Sequence, residues 1–204
     1  MNALNNLPVN WFDIVVVIVV LLGARKGRMN GMSQEMTVCL QWMCIVAAGC
    51  FLYQPVGDFI YQECPVSHLF GYITAYIAIA MVVKVAFSLL KKASGGKVAS
   101  SDTFGRGEYY LGTVAGAVRF ICILIAALAL LNARSYSHKE VASDIAFQND
   151  VYGSTFFPQL YSVQGCVFKE SFIGKQLHEN AGFLLIKATA PEKRDVQRRK
   201  DELP

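Results

Sequence analysis

YYLGTVAGAVRFICILIAALALL, residues 109–131, is 23 residues long and holds one charged side chain, Arg119. About 20 apolar residues cross a bilayer as a helix. In lipid every backbone N–H and C=O must be bonded within its own segment, so the stretch reads as a transmembrane helix and not as a buried strand. Working outward, three more apolar stretches occupy residues 69–90, 36–53 and 11–24. Hydrophobic residues make up 54% of the chain and charged ones 17%, with a mean hydropathy of +0.37. Such a composition excludes an ordinary soluble domain. The expected fold is all-α, a four-helix transmembrane bundle over residues 1–133. A helical, amphipathic extracytoplasmic region follows at 134–190, then a charged, disordered tail at 191–204.

The loops set the expected orientation. Arg25, Lys26 and Arg28 lie between the first and second stretches, and Lys91, Lys92, Lys97 and Arg106 between the third and fourth. The connection 54–68 has no Lys or Arg and carries Asp58 and Glu63. Short basic loops remain cytoplasmic, so 25–34 and 91–107 are expected inside and both termini outside. The segment 91–107, rich in Gly and Ser, reads as a flexible loop. Residues 1–10 carry no charged side chain, unlike the basic start of a signal peptide, so the first helix is expected to be retained. At 14 residues that first stretch covers only about 21 Å, and an interfacial segment is the competing reading.

The net charge of +4 gives no nucleic-acid surface, because 10 of the 19 basic residues lie after Asn132 together with 9 acids. Six cysteines show no CxxC spacing, and those in apolar stretches read as small hydrophobes. Cys64 and Cys166 fall on one side, and both are expected to stay free, with a disulfide between them as the alternative. Residues 155–172 repeat apolar positions at three and four and read as an amphipathic helix on the outer boundary or packed on the helix ends, with a soluble helical hairpin as the competing reading.

A few residues stand out against this background. Gly112 and Gly116 form a GxxxG pair, which lets another helix approach closely, in the same chain or in a second copy. Ala115, Glu108 and Arg119 share that face at 3.6 residues per turn. Arg119 lies near the bilayer centre, where a guanidinium costs about 2.5 kcal/mol or more unless it finds a partner or water. Asp13 and Glu35 begin the first and second helices, where a carboxylate complements the helix dipole. Asp13 is also a candidate partner for Arg119. Lys84 lies on an aliphatic face and is expected to snorkel through lipid to the headgroups. No GxSxG, HExxH or phosphate-cradling motif is present, so no enzyme, cofactor or metal is expected.

Several of these residues recur in a known order. Trp11-x-Asp13 opens the first helix, Gly31 and Glu35 begin the second, and Trp42 lies within it. Leu111-Gly112-x-x-x-Gly116-x-x-Arg119 follows in the fourth. The set resembles the CvpA, or colicin V production, family over roughly residues 10–131. The chain has Glu108-Tyr109 where that family tends to place an Asp-Arg pair, and Asn30 where a basic residue often stands. The resemblance implies a bacterial inner-membrane protein linked to production or export of a peptide toxin and to envelope maintenance. Expected partners are the lipid bilayer and other membrane proteins or further copies of the chain, and no nucleic acid. The competing reading is an oligomeric channel or transporter with a polar path at Arg119 and Asp13.

Overall fold

A computed structural model describes residues 10–64, 66–93, 105–152 and 160–189. Its order is α1 (Trp11–Asn30), α2 (Met32–Glu63), α3 (His68–Ala93), α4 (Glu108–Asn132), α5 (His138–Tyr152), α6 (Leu160–Gly165) and α7 (Phe172–Ala181). Short 3-10 turns precede α4 and follow α7, and Cys166–Glu170 forms a π turn after α6. The described residues contain no strand, only an isolated bridge between Arg134 and Thr189. The described residues are therefore of the all-α class. Most of the loop expected at 91–107 and the tail expected at 191–204 lie outside the described residues, as does part of the helix expected at 155–172.

Three helices, α2, α3 and α4, are long and apolar enough to cross a membrane. The bounds of α3 and α4 exceed the expected 69–90 and 109–131 by only one to three residues at either end. The first two helices differ more. Instead of ending at Ala24, α1 continues to Asn30, so Arg25, Lys26 and Arg28 are helical and not part of a loop. Arg and Lys are good helix formers, and the extra turns are held against α4 by glycine contacts described below. At 20 residues the helix is about 30 Å long. Only Gly31, at φ +76° and ψ 165°, separates α1 from α2, a backbone conformation open essentially to glycine alone.

At its other end α2 runs past Tyr53 to Glu63 with Pro55 inside it. Proline removes one helical hydrogen bond, yet the helix persists because its last turns pack on α3. A Cβ on Gly57 would collide with the Tyr72 ring. The Tyr72 hydroxyl donates to Asp58 at 2.9 Å, and the His68 and Tyr61 rings stack at 3.5 Å.

Packing runs in file, α1 on α4, α4 on α2 and α2 on α3, while α3 and α4 share no packed face. This differs from a closed bundle, in which α3 and α4 would also pack along their lengths. The cause is local: α3 presents Gly71, Ala75, Tyr76 and Ile79 to α2, and its last three turns stand apart, with Val82, Val85, Leu89 and Leu90 exposed.

Beyond α4 the chain folds back over the helix ends away from the basic segments. Leu185 and Ile186 are buried. The Asn132 amide donates to the Ile186 carbonyl at 3.0 Å, and the Lys187 N–H donates to the Tyr53 hydroxyl at 3.2 Å. Gln164 donates to the carbonyl of Arg134 at 3.1 Å, which ties α6 to the end of α4.

Candidate functional site

Helical Cα–Cβ bonds tilt toward the helix N-terminus, so Arg119, in the middle of α4, leans toward the end of the molecule that carries the basic segments. Glu35 waits there in the first turn of α2. Arg119 Nη1 donates to Glu35 Oε1 at 2.9 Å and to Oε2 at 2.7 Å. Asn30, the last residue of α1, donates its side-chain amide to Glu35 Oε1 at 2.6 Å. The Glu35 side chain is 1% exposed and that of Arg119 15%. Arg119 also lies over the Phe120 ring, 5.3 Å from its centroid, while its Nε is buried without a hydrogen-bond partner. One ion pair thus gathers α1, α2 and α4, and the guanidinium is neutralised beside the chain's own carboxylate.

The pair forms the floor of a crevice of about 560 Å³. On α2 it is bordered by Gln34, Thr37 and Gln41, and on α3 by Lys84, Ser88 and Lys91. These positions are three, four or seven apart, so each set lines one helical face. Phe87, Leu90 and Val38 supply apolar wall. Lys84 is exposed, but it borders this crevice rather than facing lipid alone, because α3 stands clear of α4 and leaves the space open.

Asp13 occupies a different place. It is 5% exposed and acts at two helix starts. Its Oδ2 accepts from the Asn10 N–H at 2.9 Å, completing a reciprocal cap with the Asn10 side chain at the start of α1. Its Oδ1 accepts from the Ser171 hydroxyl at 2.7 Å and from the Ile173 N–H at 3.0 Å. Ser171 in turn accepts from the Gly174 N–H at 3.1 Å, capping α7. Asp13 therefore fastens the returning tail to α1, and the carboxylate that meets Arg119 is Glu35. Glu108, buried at the start of α4, accepts from the Ser33 N–H at 3.3 Å, so its charge meets the positive end of α2. Gly31 packs against that Glu108 side chain.

Gly112 and Gly116 face α1 of the same chain. A Cβ on Gly116 would fall on the Gly23 carbonyl oxygen and lie 2.7 Å from Gly27 Cα. One on Gly112 would lie 2.8 Å from the carbonyl carbon of Gly31. Ala115 is buried on α4 close by. Gly23, Gly27 and Gly31 recur every fourth residue, which is the spacing that could have identified them; the intervening Arg25, Lys26 and Arg28 make the segment read as a loop. Gln41 is likewise legible as a polar residue within the apolar run 36–53, seven residues after Gln34.

Among the described residues no cluster of three or more His, Cys, Asp or Glu could hold a metal ion. Cys64 and Cys166 are both free, as are the other four cysteines. Chemically the crevice offers ammonium, amide and hydroxyl groups at its rim and a neutralised ion pair at its base, an arrangement suited to holding an anion or a polar headgroup.

No curated protein and no solved structure gives a significant match to the chain. A family model described as colicin V production protein matches residues 12–164, three quarters of the sequence and every residue of α2, α3 and α4. With its apolar helices and the residues placed above, the chain belongs to the colicin V production protein family.

Proposed function

We propose that this chain is a non-enzymatic accessory protein of the bacterial inner membrane that supports production or export of a colicin V-type toxin and envelope homeostasis. It crosses the membrane four times with both termini extracytoplasmic, and it works by associating with other membrane proteins. The fourth crossing is α1: the helix is long enough, and Ile14, Ile18, Leu21 and Leu22 are exposed on faces turned away from α4.

The observation that supports an accessory role over a conducting one is how the membrane-level charges are used. Arg119 is bonded to Glu35 and Asp13 to Ser171, Phe172 and Ile173. A path through Arg119 and Asp13 would need both side chains turned to one continuous aqueous space. The crevice beside Arg119 is not lined by Asp13.

The test is toxin release from a deletion strain complemented with the wild-type gene or with Arg119→Leu. Release is expected to fall on deletion and to return only with the wild type. Equal release from all strains would overturn the accessory role. Purified protein in liposomes is expected to pass no ions, and a flux abolished by Arg119→Leu would replace this reading with a channel. Impermeant thiol reagents should label Cys64 in cells and spare a cysteine substituted at Lys97.

A further inference from the structure

We propose that the crevice between α2 and α3 binds the phosphate-bearing headgroup of an anionic phospholipid, drawn from the leaflet on the basic side of the protein. The argument begins with charge. Lys84, Lys91 and Arg119 border the space with a single carboxylate, Glu35. Both Glu35 oxygens are taken by Arg119, and one also by Asn30, so the two lysines carry the cationic excess. Two lysines seven residues apart with Ser88 between them make a polar strip along α3 that faces the crevice.

Groups of matching chemistry stand on α2 across from that strip. In the antiparallel α2–α3 pair, Gly57 meets Tyr72 and Gly49 meets Tyr76. Across from the lysines, Gln34, Thr37 and Gln41 of α2 border the same crevice. The crevice accordingly offers ammonium groups on its α3 wall and amide and hydroxyl groups on its α2 wall, an arrangement suited to the phosphodiester and the polar part of a headgroup. Lys84 stands nine residues before the end of α3, about 14 Å along the helix. That depth suits a lipid phosphate drawn slightly inward, and it is too deep for a loop-borne soluble partner.

A lipid is favoured over a free anion by the walls and the opening. Phe87, Leu90 and Val38 are apolar surface that a bare phosphate would leave unused, whereas a glycerol backbone and upper acyl chain would cover it. Because α3 and α4 are not packed along their lengths, no helix interface closes the crevice between them, which leaves a route for a bilayer lipid to enter. At about 560 Å³ the space falls within the usual range for a drug-sized ligand. The proposal rests on the membrane-spanning reading of α2, α3 and α4 and is independent of the accessory role.

The experiment is native mass spectrometry of the full-length protein released from nanodiscs containing equal phosphatidylglycerol and phosphatidylcholine. The wild type is expected to retain phosphatidylglycerol in preference, and the preference should fall about fivefold for each of Lys84→Gln and Lys91→Gln. Both side chains are exposed, so these variants keep the fold. Gln41→Leu removes no charge and should also lower the retained lipid, an effect that diffuse attraction between basic residues and an acidic membrane would not produce. Lys92→Gln, outside the crevice, should leave the preference unchanged. Equal retention by wild type and Lys84→Gln/Lys91→Gln would overturn the proposal. Displacement of the lipid by millimolar inorganic phosphate, or lysine-dependent binding of a polyglutamate peptide in place of the lipid, would overturn it as well. A protein that remained in solution without detergent would overturn this proposal and the membrane reading together.

Discussion

Arg119 and Glu35 are 84 residues apart in sequence, yet Arg119 Nη1 contacts both Glu35 oxygens, at 2.9 and 2.7 Å. The contact unites α4 and α2, and Asn30 adds α1 to it. A charge that would be unfavourable alone in lipid becomes part of the joint between three helices. Burying the pair consumes polar groups on all three, which fixes their relative depth as well as their faces.

Removing one member should be worse than removing both. Arg119→Leu leaves the Glu35 carboxylate buried with only Asn30, and loss of one partner of a buried pair destabilises by about 3–5 kcal/mol. Glu35→Leu combined with Arg119→Leu leaves no orphaned charge and should recover most of that loss. Thermal unfolding in detergent is expected to rank the wild type and the double variant well above either single variant. Additive effects would mean that the pair does not act as a unit.

Gly116→Leu should unfold the monomer rather than merely separate copies of it. The added side chain meets the backbone of α1 at Gly23 and Gly27, and backbone cannot turn aside as a flexible side chain can. Gly165→Ala is the control, since nothing lies within 4 Å of a Cβ there. Size-exclusion chromatography should show Gly116→Leu as aggregated or absent at the monomer position, with Gly165→Ala unchanged. A folded Gly116→Leu monomer that had lost only its self-association would place the glycine face between chains.

Gly31→Ala tests the joint between α1 and α2. Its φ of +76° with an extended ψ is strained for any residue with a Cβ, by about 1–3 kcal/mol, and the new methyl group would press on the Glu108 carboxylate. A lowered melting temperature in detergent is the expected outcome. A Gly31→Ala protein as stable as the wild type would show that the turn relaxes without loss.

The parts of the fold that hydropathy could reveal are those where lipid alone dictates the answer. Residues 109–131 and 69–90 lie inside α4 and α3 with little to add at either end, because an uninterrupted apolar run in a bilayer has no other low-energy conformation. Residues 25–30 and 54–63 were obscured by their charges and by Pro55. They are helical for tertiary reasons, the first against Gly112 and Gly116 and the second against Tyr72. Glu35 shows the same division within the candidate site. Its position at a helix start is local information that accounts for an acid there. Its bond to Arg119 depends on α4 lying beside α2, which no spacing within either helix contains. Asp13 is legible as a cap of α1 but not of α7, whose start is assembled only when the chain returns from the far end of α4.

That return makes Asp13 the latch of the C-terminal region. It accepts hydrogen bonds from Ser171, Phe172 and Ile173, so Asp13→Ala would leave the first turn of α7 without its acceptor and the Ser171 hydroxyl without its partner. The apolar faces of α1 and α4 would be untouched, since Phe12 and Val16 on α1 remain in place. The expected result is a helical core that still melts cooperatively, with a tail that opens: limited trypsin digestion should cut at Lys169 or Lys175 much faster than in the wild type. Ser171→Ala removes one of these bonds and the α7 cap, worth about 1 kcal/mol, and should give an intermediate cleavage rate. Identical digestion of all three proteins would mean that the tail is held by Val167, Phe168, Leu185 and Ile186 alone, and that the carboxylate of Asp13 serves only the start of α1.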